Sequence, residues 1–585
     1  MKHFFPLLRG GLRVALVLLL AQAAARAQQA PAWTQLATAT AATSNSFSYV
    51  LANAADAAGN VYLAGNFFGS VQFGSTVLTS TSAATDGFVA KWSSTTGTFV
   101  WAVALGGTES DQVSALALSN GAVYVGGFFA SPTATLGPLG LANAGATGTG
   151  DAFVARLADA GPTASFVWAQ QAGGPGTDAV TGLAVSGSRV YCTGFFKSAA
   201  FTAGGTVLAN AAPGTSDAFV ARLNDTGAAA GFAWAQRYGG PEPDEARALA
   251  LSGSDLYVVG DFASPTLALG ATVLTNISSG SADVFVAKLT DGGAAATVAW
   301  AQRAGSTGAD TGDALALQGP NLYVAGSYGG ATATVGPVLL PNTDGTSSTG
   351  DVFVAKLLDA GTSASVSWAR AGGGPGHDQP RAVAVRGPAV YVAGSYSGPN
   401  ATFGPTTLAN RGMGAFTDIF VAKLLDTGAG ASYAWAQSAG GPGGESAVGL
   451  ALTGNLVVTT GGASSQAAFG PLSTPASVNN AAFVATILDA ALPAATATAL
   501  SGPAFALAPN PARGTTTVQL PALPGAPTAT LTLHDALGRT VRTTTVALPA
   551  AGLRHELSLA GLPAGVYAVQ VQAAGATATR KLVVE

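Results

Sequence analysis

The six residues Asp217-Ala-Phe-Val-Ala-Arg222 recur, with small changes, along most of the chain. Six copies begin with an aspartate, and Ala481-Ala-Phe-Val-Ala485 is an altered seventh copy. The aspartates are Asp86, Asp151, Asp217, Asp283, Asp351 and Asp418. Short runs rich in Phe and Val that are bounded by Gly, Ser, Asn or Asp are typical of β-strands. The sequence therefore predicts the same strand at seven places.

Three further motifs recur with the same period. The first is a tyrosine in strings such as Val123-Tyr-Val125, found at Tyr62, Tyr124, Tyr191, Tyr257, Tyr323 and Tyr391, with Val457-Val-Thr459 as the seventh copy. The second is a tryptophan, found at Trp33, Trp101, Trp168, Trp234, Trp300, Trp368 and Trp435, at spacings of 66 to 68 residues. The third is an apolar string before the tyrosine, such as Ala-Leu-Ala-Leu at 115–118.

Four strands in each repeat of 66 to 68 residues, seven times over, predict an all-β fold containing a seven-bladed β-propeller. A β-solenoid is one alternative, but its repeats are usually shorter. A string of small sandwiches is another, and it would lack so even a period.

The phase of the repeat predicts how the propeller closes. In internal copies a turn aspartate precedes the tryptophan by nine residues, as from Asp159 to Trp168, whereas Thr498 stands nine residues after Asp489. Trp33, at the other end, has no Phe-Val-Ala strand before it. We expect the strand around Trp33 to complete the seventh blade beside residues 483–488, which would remove the open sheet edges.

These units resemble the bacterial seven-bladed β-propeller repeat family, with its Gly-x-Asp, Ala-apolar-Ala and Val-Tyr-Val-x-Gly pattern. The resemblance covers residues 33–490, within a predicted propeller domain of 28–490. Two copies depart from the pattern. The first has 29 residues from Trp33 to Tyr62 against 23 from Trp101 to Tyr124, and the last has lost its Tyr, Asp and Trp. The resemblance implies the fold and leaves the activity open, because propellers carry many functions.

The N-terminus predicts export. Lys2, Arg9 and Arg13 precede the apolar run at 14–20, and Ala25-Arg-Ala27 follows as a small-x-small cleavage site. This order is typical of a secretory signal peptide over residues 1–27, with cleavage between Ala27 and Gln28. The apolar run is too short to span a bilayer, and we expect no transmembrane segment in the mature chain.

The C-terminus predicts a second domain. Residues 491–504 have the Ala, Thr, Pro and Ser composition of a linker, and residues 505–585 read as short strands joined by Gly and Asp turns. This pattern predicts a small immunoglobulin-like β-sandwich. An accessory carbohydrate-binding sandwich is an alternative, but the segment lacks an evident row of exposed aromatic residues.

The C-terminal motifs resemble the type A C-terminal sorting domain of the type IX secretion system. The residues that carry the resemblance are Pro509, Asn510, Pro511, Gly538, Arg539, Gly565, Tyr567 and Lys581. The resemblance implies that the secretion machinery is a partner and that the propeller is cargo, carried through the periplasm to the cell surface or the medium.

Charge and composition exclude several classes of function. The chain has 585 residues, of which only 9% are charged, and a single cysteine, Cys192, so no disulfide framework exists. Residues 28–500 contain 15 basic and 26 acidic side chains, which argues against nucleic acid as a partner. No nucleophile elbow, zinc-protease motif or phosphate loop is present.

The remaining candidates for chemistry are acidic residues and breaks in the repeat. Six carboxylates lie ten residues after a tryptophan, and they could bind calcium or fix turns. They are Asp111, Asp178, Asp244, Asp310, Asp378 and Glu445. The irregular residues, interpreted as solvated loop residues, are Arg237, Tyr238, Glu242, Glu245, Asp313, His377 and Arg381. The aromatic residues five positions after each tyrosine, interpreted as core, are Phe67, Phe129, Phe196, Phe262, Tyr328 and Tyr396.

The sequence thus favours a secreted or surface-attached propeller that binds an extracellular polysaccharide or a surface protein. No catalytic residue is assigned, and calcium is the one cofactor left open. A carbohydrate-active enzyme, such as a lyase or glycosidase, is the first alternative. A structural component of a surface layer is the second.

Overall fold

The computed structural model describes residues 29–146, 148–345, 349–412, 416–476, 480–492, 505–520, 528–535, 540–549, 552–573 and 576–585. The predicted signal peptide with Ala27 and Gln28, most of the linker, and Gly538 and Arg539 lie outside these residues. The chain divides into two compact units, Met1–Leu492 and Pro493–Glu585. The described residues form strands and turns without a helix, so no helix among them is long and apolar enough to cross a membrane.

The first unit contains seven antiparallel groups of four strands, called sheets 1 to 7 here, each in the order inner, Tyr, Asp and outer strand. The outer strands of sheets 2 and 4 also pair with the hairpin strands Ala200–Ala203 and Thr332–Val335, so these two sheets continue to six strands. The inner strands are Phe47–Ala55, Asp111–Ser119, Asp178–Ser186, Asp244–Ser252, Asp310–Gln318, Asp378–Arg386 and Ser446–Thr453. The Tyr strands are Asn60–Phe68, Ala122–Phe129, Arg189–Phe196, Asp255–Phe262, Asn321–Tyr328, Ala389–Tyr396 and Leu456–Ala463. The Asp strands are Asp86–Ser93, Asp151–Asp159, Asp217–Asp225, Asp283–Asp291, Asp351–Asp359, Asp418–Asp426 and Ala481–Leu488. The outer strands of sheets 1 to 6 are Thr98–Leu105, Ala164–Gly173, Ala230–Tyr238, Ala296–Gly305, Ala364–Gly372 and Ala431–Ala439, and that of sheet 7 is Trp33–Thr38.

A small hairpin follows each Tyr strand. The hairpins are Ser70–Phe73 with Thr76–Thr79, Thr133–Leu136 with Leu139–Ala142, Ala200–Ala203 with Thr206–Ala209, Thr266–Leu269 with Thr272–Thr275, Thr332–Val335 with Val338–Pro341, Asn400–Phe403 with Thr406–Ala409, and Ala468–Phe469 with Leu472–Ser473. A two-residue strand, Thr40–Ala41, adds to the first hairpin. Each hairpin turns on a glycine with positive φ, such as Gly137 at 58°, a conformation that glycine adopts without steric cost.

The Asp strands are buried on both faces. In Asp283–Asp291 the first seven residues are all buried, and the side chains of Val284, Phe285 and Val286 are at most 4% exposed. A strand covered on both faces reads as a continuous apolar run without polar alternation. This explains why the Phe-Val-Ala motif is the best preserved part of the repeat.

The hydrophobic core lies between the faces of consecutive sheets. One cluster combines Tyr124 and Val154 of sheet 2 with Val190 and Phe219 of sheet 3. Each inner strand packs beside the inner strand of the next sheet along the chain, and Ser446–Thr453 of sheet 7 packs beside Phe47–Ala55 of sheet 1. The aromatic residues predicted to be core confirm that reading, because all six are 0 or 1% exposed.

Sheet 7 combines the two ends of the first unit. Trp33–Thr38 pairs antiparallel with Ala481–Leu488, with Trp33 opposite Ile487 and Gln35 opposite Thr486. In sheet 2, Arg156 has the position that Thr486 has in sheet 7, and Trp168 lies opposite Arg156. Phe166, which lies opposite Leu157, has the position of Trp33.

Trp33 is therefore two residues out of phase with the other tryptophans, and its assignment as an equivalent copy was wrong. Its ring packs edge-on against Phe469 at 5.2 Å and lies over Gly470, as Phe166 lies over Gly137. Gln35 takes the repeated tryptophan position instead.

The second unit contains two antiparallel sheets. One combines Ala506–Ala508, Thr515–Leu520 and Leu553–Ser558, and the other combines Thr528–His534, Thr540–Ala547, Gly565–Ala573 and Ala576–Val584. Val518, Leu531 and Val569 are among the apolar side chains buried in its core. The segment thus has its own core and strand pairing.

Several residues of the C-terminal motifs fasten the ends of this unit. The Asn510 side chain donates to the Lys581 carbonyl at 2.7 Å and accepts from the Val583 amide at 2.9 Å. The Pro509 carbonyl accepts from the Thr516 hydroxyl at 2.8 Å. The Tyr567 hydroxyl donates to the Pro563 carbonyl at 2.8 Å. The side-chain amide of Asn510 thus anchors the Pro-Asn-Pro segment to the last strand through both its nitrogen and its oxygen.

Candidate functional site

The turn aspartates join neighbouring sheets. Asp159 of sheet 2 accepts hydrogen bonds from three side chains of sheet 1: Tyr62 Oη at 2.7 Å, Lys91 Nζ at 2.7 Å and Trp101 Nε1 at 3.1 Å. We call this group of four side chains the clasp. Asp159 also accepts from the Gly161 amide, so it fixes its own turn at the same time. Such an aspartate therefore has two roles: it fixes its own turn, and it joins its sheet to the neighbouring sheet.

The clasp recurs at six junctions between sheets. The acceptors are Asp159, Asp225, Asp291, Asp359, Asp426 and Asp489. The cations are Lys91, Arg156, Arg222, Lys288, Lys356 and Lys423. In the sixth clasp Trp435 Nε1 makes no hydrogen bond, so this clasp has three members.

The junction of sheet 7 with sheet 1, which we call the seam, has none of the four clasp residues. Val458, Thr486, Gln35 and Ser94 stand in the positions of Tyr, Lys, Trp and Asp. The Gln35 side chain donates to the Ser94 carbonyl at 3.2 Å, and the hydroxyls of Thr34 and Thr486 are 2.8 Å apart. A buried cation without its carboxylate would be costly, so the absence of the lysine is consistent with the absence of the aspartate.

The six carboxylates considered for calcium are structural in their surroundings. All are at most 1% exposed, and each lies where a loop enters an inner strand or just before it. Asp111 Oδ2 accepts from the Gly107 amide and from the Ser131 hydroxyl, both at 2.7 Å. Among the described residues no group of three or more His, Cys, Asp or Glu side chains could hold a metal ion. Calcium binding by these groups stays a prediction.

Burial sets the protonation of these carboxyls. It raises the pKa of Asp111 to about 6, against hydrogen bonds from Ser131 and Gly107 that favour the charged form. At Asp378, burial and the nearby Asp351 outweigh the Gly374 amide and raise the pKa to about 8. The first unit therefore holds acidic side chains that take up protons near neutral pH.

A cavity of about 340 Å³ is lined by three consecutive residues from each of the seven inner strands. We call it the inner cavity. Every inner strand has a β-bulge here, because one residue is inserted opposite the Tyr strand. The inserted residues, in sheets 1 to 7, are Leu51, Ser114, Thr181, Arg247, Asp313, Arg381 and Val448.

Charge breaks the sevenfold repeat at this bulge position. Arg247, Asp313 and Arg381 are inserted on three adjacent sheets, whereas the other four residues are small or apolar. Glu245 and Asp261 complete the group through Arg247, which lies 3.3 Å from Glu245 and forms an ion pair with Asp261. We call these five side chains the charged arc.

Hydrogen bonds connect the charged arc across sheets 5 and 6. Asp313 accepts from Thr311 Oγ1 at 2.9 Å and from Gln379 Nε2 at 3.1 Å, and Arg381 lies 3.7 Å from it. The Thr311 hydroxyl also lies 2.8 Å from that of Ser327. Asp313 is thus held by neighbours on both sides, and its side chain is only 2% exposed.

The two acids next to the cavity have raised pKa values. Burial raises the pKa of Asp261 to about 6, although Arg247 favours its charged form. Burial likewise raises the pKa of Asp313 against the attraction of Arg381 and Arg247. Raised carboxyl pKa values beside a cavity mark candidates for ligand or proton chemistry.

The structure separates the irregular residues that sequence reasoning grouped. Glu245, Asp313 and Arg381 belong to inner strands, so their interpretation as solvated loop residues was wrong. Arg237 and Tyr238 belong to the outer strand of sheet 3, so the loop interpretation was wrong for them too. Arg237 pairs with Asp217 at 2.8 Å. Glu242 and His377 are exposed loop residues, as predicted.

Three other sequence candidates are not members of the charged arc. Asp244 is fully buried, and it accepts from Ser264 Oγ at 2.7 Å. Tyr238 is buried, which raises its pKa to about 12. Cys192 is a buried core residue, and burial raises the pKa of its thiol to about 12.

Sequence reasoning missed Arg247 and Asp261. A usable signal was present, because Arg247, Asp313 and Arg381 follow one another at spacings of 66 and 68 residues, which is the repeat length itself. Charged residues that recur at one phase of a repeat, where other copies carry small or apolar residues, point to a shared location in the fold.

Comparison with known proteins identifies the C-terminal unit. Residues 506–585 match the family described as the secretion system C-terminal sorting domain. The protein is therefore exported through the type IX secretion system, by way of the periplasm, to the medium or the cell surface.

A similar protein of known name is less informative about function. The chain is 29% identical over 340 residues to the regulatory protein FlaEY of Caulobacter vibrioides, a match that covers 55% of this chain. It spans only 33% of that protein's length.

Proposed function

We propose that the first unit is a closed seven-bladed β-propeller that binds an extracellular polysaccharide or a surface protein through its inner cavity. The sorting domain implies contact with the type IX secretion machinery, so the propeller is its cargo. The ligand would be met outside the cell, after export.

The propeller proposal rests on strand order and contacts. Seven sheets share one strand order, and their inner strands pack side by side in chain order. The last inner strand packs beside the first, and Trp33–Thr38 supplies the fourth strand of sheet 7. These contacts are the ones that a closed propeller requires.

The binding proposal rests on one observation, the charged arc. A repeat that served only to build the fold would carry equivalent residues at equivalent positions. Here the bulge position is Leu51 or Val448 on two sheets and Arg247, Asp313 or Arg381 on three others. Polar groups that converge on one side of a cavity are typical of ligand sites.

A carbohydrate-active enzyme remains the second candidate, because the same arc contains two acids with raised pKa. Asp261 and Asp313 could serve as acid and base in glycoside cleavage. Against this function, Arg247 and Arg381 already pair with the two acids, and both acids are largely shielded from solvent. We therefore place binding before catalysis.

The test uses the chain from residue 28 onward, incubated with a panel of neutral and acidic polysaccharides with and without calcium. Retention and shortened products are both scored. The variant Arg247→Gln changes the charged arc, and Arg303→Gln, whose residue pairs with Asp283 away from the cavity, is its matched control.

Retention that Arg247→Gln weakens and Arg303→Gln leaves intact would support the binding function. Shortened products would overturn it in favour of the enzyme. If neither retention nor products are found, a protein partner or a structural layer is favoured. Retention that depends on calcium would support a role for the six carboxylates considered for calcium.

A further inference from the structure

Arg381 is the least engaged member of the charged arc. Its side chain is 41% exposed, it lines the inner cavity, and its only ion pair among the described residues is the 3.7 Å contact with Asp313. Arg247, by comparison, is held by Glu245 and Asp261 on its own sheet. The guanidinium of Arg381 therefore keeps donors that a ligand can use.

Asp313 does not depend on Arg381 for its hydrogen bonds. It already accepts from Thr311 and Gln379 at 2.9 and 3.1 Å. An anion that binds Arg381 would leave Asp313 with both of these donors. The cost of turning the guanidinium toward a ligand is thus small compared with the cost of breaking a fully buried pair.

The rest of the cavity suits a sugar. Leu51, Leu450 and Val448 offer apolar surface for the C–H faces of a ring. Ser114 and Thr181 each donate to a backbone carbonyl at 2.6 Å, which leaves their hydroxyl oxygens as acceptors for sugar hydroxyls. A volume of about 340 Å³ lies at the lower end of ordinary small-ligand sites.

We propose that the inner cavity binds an acidic saccharide, and that Arg381 binds its carboxylate. This inference rests on the proposed binding function and narrows its ligand class. Arginine presents a planar fork of N–H donors that matches a carboxylate with two parallel hydrogen bonds. The acidic saccharide is thereby distinguished from a neutral one by a single side chain.

The test measures calorimetric binding of trigalacturonate and of its fully methyl-esterified form to the chain from residue 28 onward. The two probes share their rings and hydroxyls and differ in charge. We expect trigalacturonate to bind at least tenfold more tightly than the ester. Arg381→Gln should remove that difference, and Arg381→Lys should retain part of it, because lysine keeps the charge and loses the fork.

Arg237→Gln is the control variant, since Arg237 pairs with Asp217 and does not line the cavity. It should bind trigalacturonate as the unaltered protein does. The unfolding midpoint of each variant, followed by tryptophan fluorescence, separates loss of binding from loss of folding.

Equal binding of the acid and the ester, or full affinity in a folded Arg381→Gln variant, would overturn this inference. The binding function would still stand if either probe bound, or if another polysaccharide of the panel were retained. Failure of trigalacturonate to bind would overturn this inference but not the proposed binding function.

Discussion

Replacing Lys423 by methionine tests whether the clasps hold the first unit together. Lys423 Nζ lies 2.6 Å from Asp489, and both side chains are only 1% exposed. Removing one member of so buried a pair leaves an uncompensated charge and typically costs about 3–5 kcal/mol. We expect Lys423→Met to lower the free energy of unfolding by this amount at pH 7.

The loss of stability caused by Lys423→Met should depend on pH. Burial raises the pKa of Asp489, but Lys423 and Tyr391 outweigh burial and hold that pKa below its ordinary value. The pair therefore stabilises the fold at neutral pH and loses its contribution as pH falls below about 4. The difference between variant and unaltered protein should shrink over the same range.

Tryptophan fluorescence during urea unfolding is the assay, because all eight tryptophans lie between residues 33 and 435 and report on the first unit alone. Lys197→Met is the matched control: Lys197 is exposed and lies 5.9 Å over the Phe195 ring, a contact worth about 1 kcal/mol or less. Lys423→Met combined with Asp489→Asn should recover part of the loss, since no buried charge is left unpaired. A single-variant loss below about 1 kcal/mol, or a double variant as unstable as the single, would refute the reasoning.

Four further predictions follow from burial and from the two units. Thr486→Lys should destabilise the seam, and Ser94→Asp added to it should restore stability in the same assay by supplying a carboxylate. Burial raises the pKa of Asp378 to about 8, so the folded state binds a proton that the unfolded chain releases. Stability should fall as pH rises from about 4 to 8, with a shallower slope for Asp378→Asn in a pH series of unfolding curves. Cys192, fully buried, should react with a thiol reagent only after unfolding. Deleting residues 505–585 should leave folded protein in the periplasm, as cell fractionation would show.

Strand identity could be predicted because its cause is local. The Phe-Val-Ala runs are buried on both faces, and every copy has the continuous apolar run that such burial requires. Register at the N-terminus could not be predicted, because Trp33 fills the position over Gly470 that Phe166 fills over Gly137. A large apolar side chain satisfies either position, and only strand pairing separates them.

The charged arc could be found only in part because its members share no short motif. Glu245, Asp313 and Arg381 stood out as departures from the repeat, yet only the bulges place Arg247, Asp313 and Arg381 at the same position on adjacent sheets. The clasps were hidden for a similar reason. A turn aspartate looks the same in sequence whether it holds only its own turn or also, like Asp159, the neighbouring sheet.

The pairing of Trp33–Thr38 with Ala481–Leu488 links completion of the first unit to the presence of the export signal. The first strand has no partner until nearly the whole unit has been synthesised, and fewer than twenty residues separate that partner from the sorting domain, which begins at 506. A chain cut short by a premature stop before residue 481 lacks both its last partner strand and its export signal. We expect such truncated chains to remain in the periplasm, so that export selects chains that contain the complete first unit.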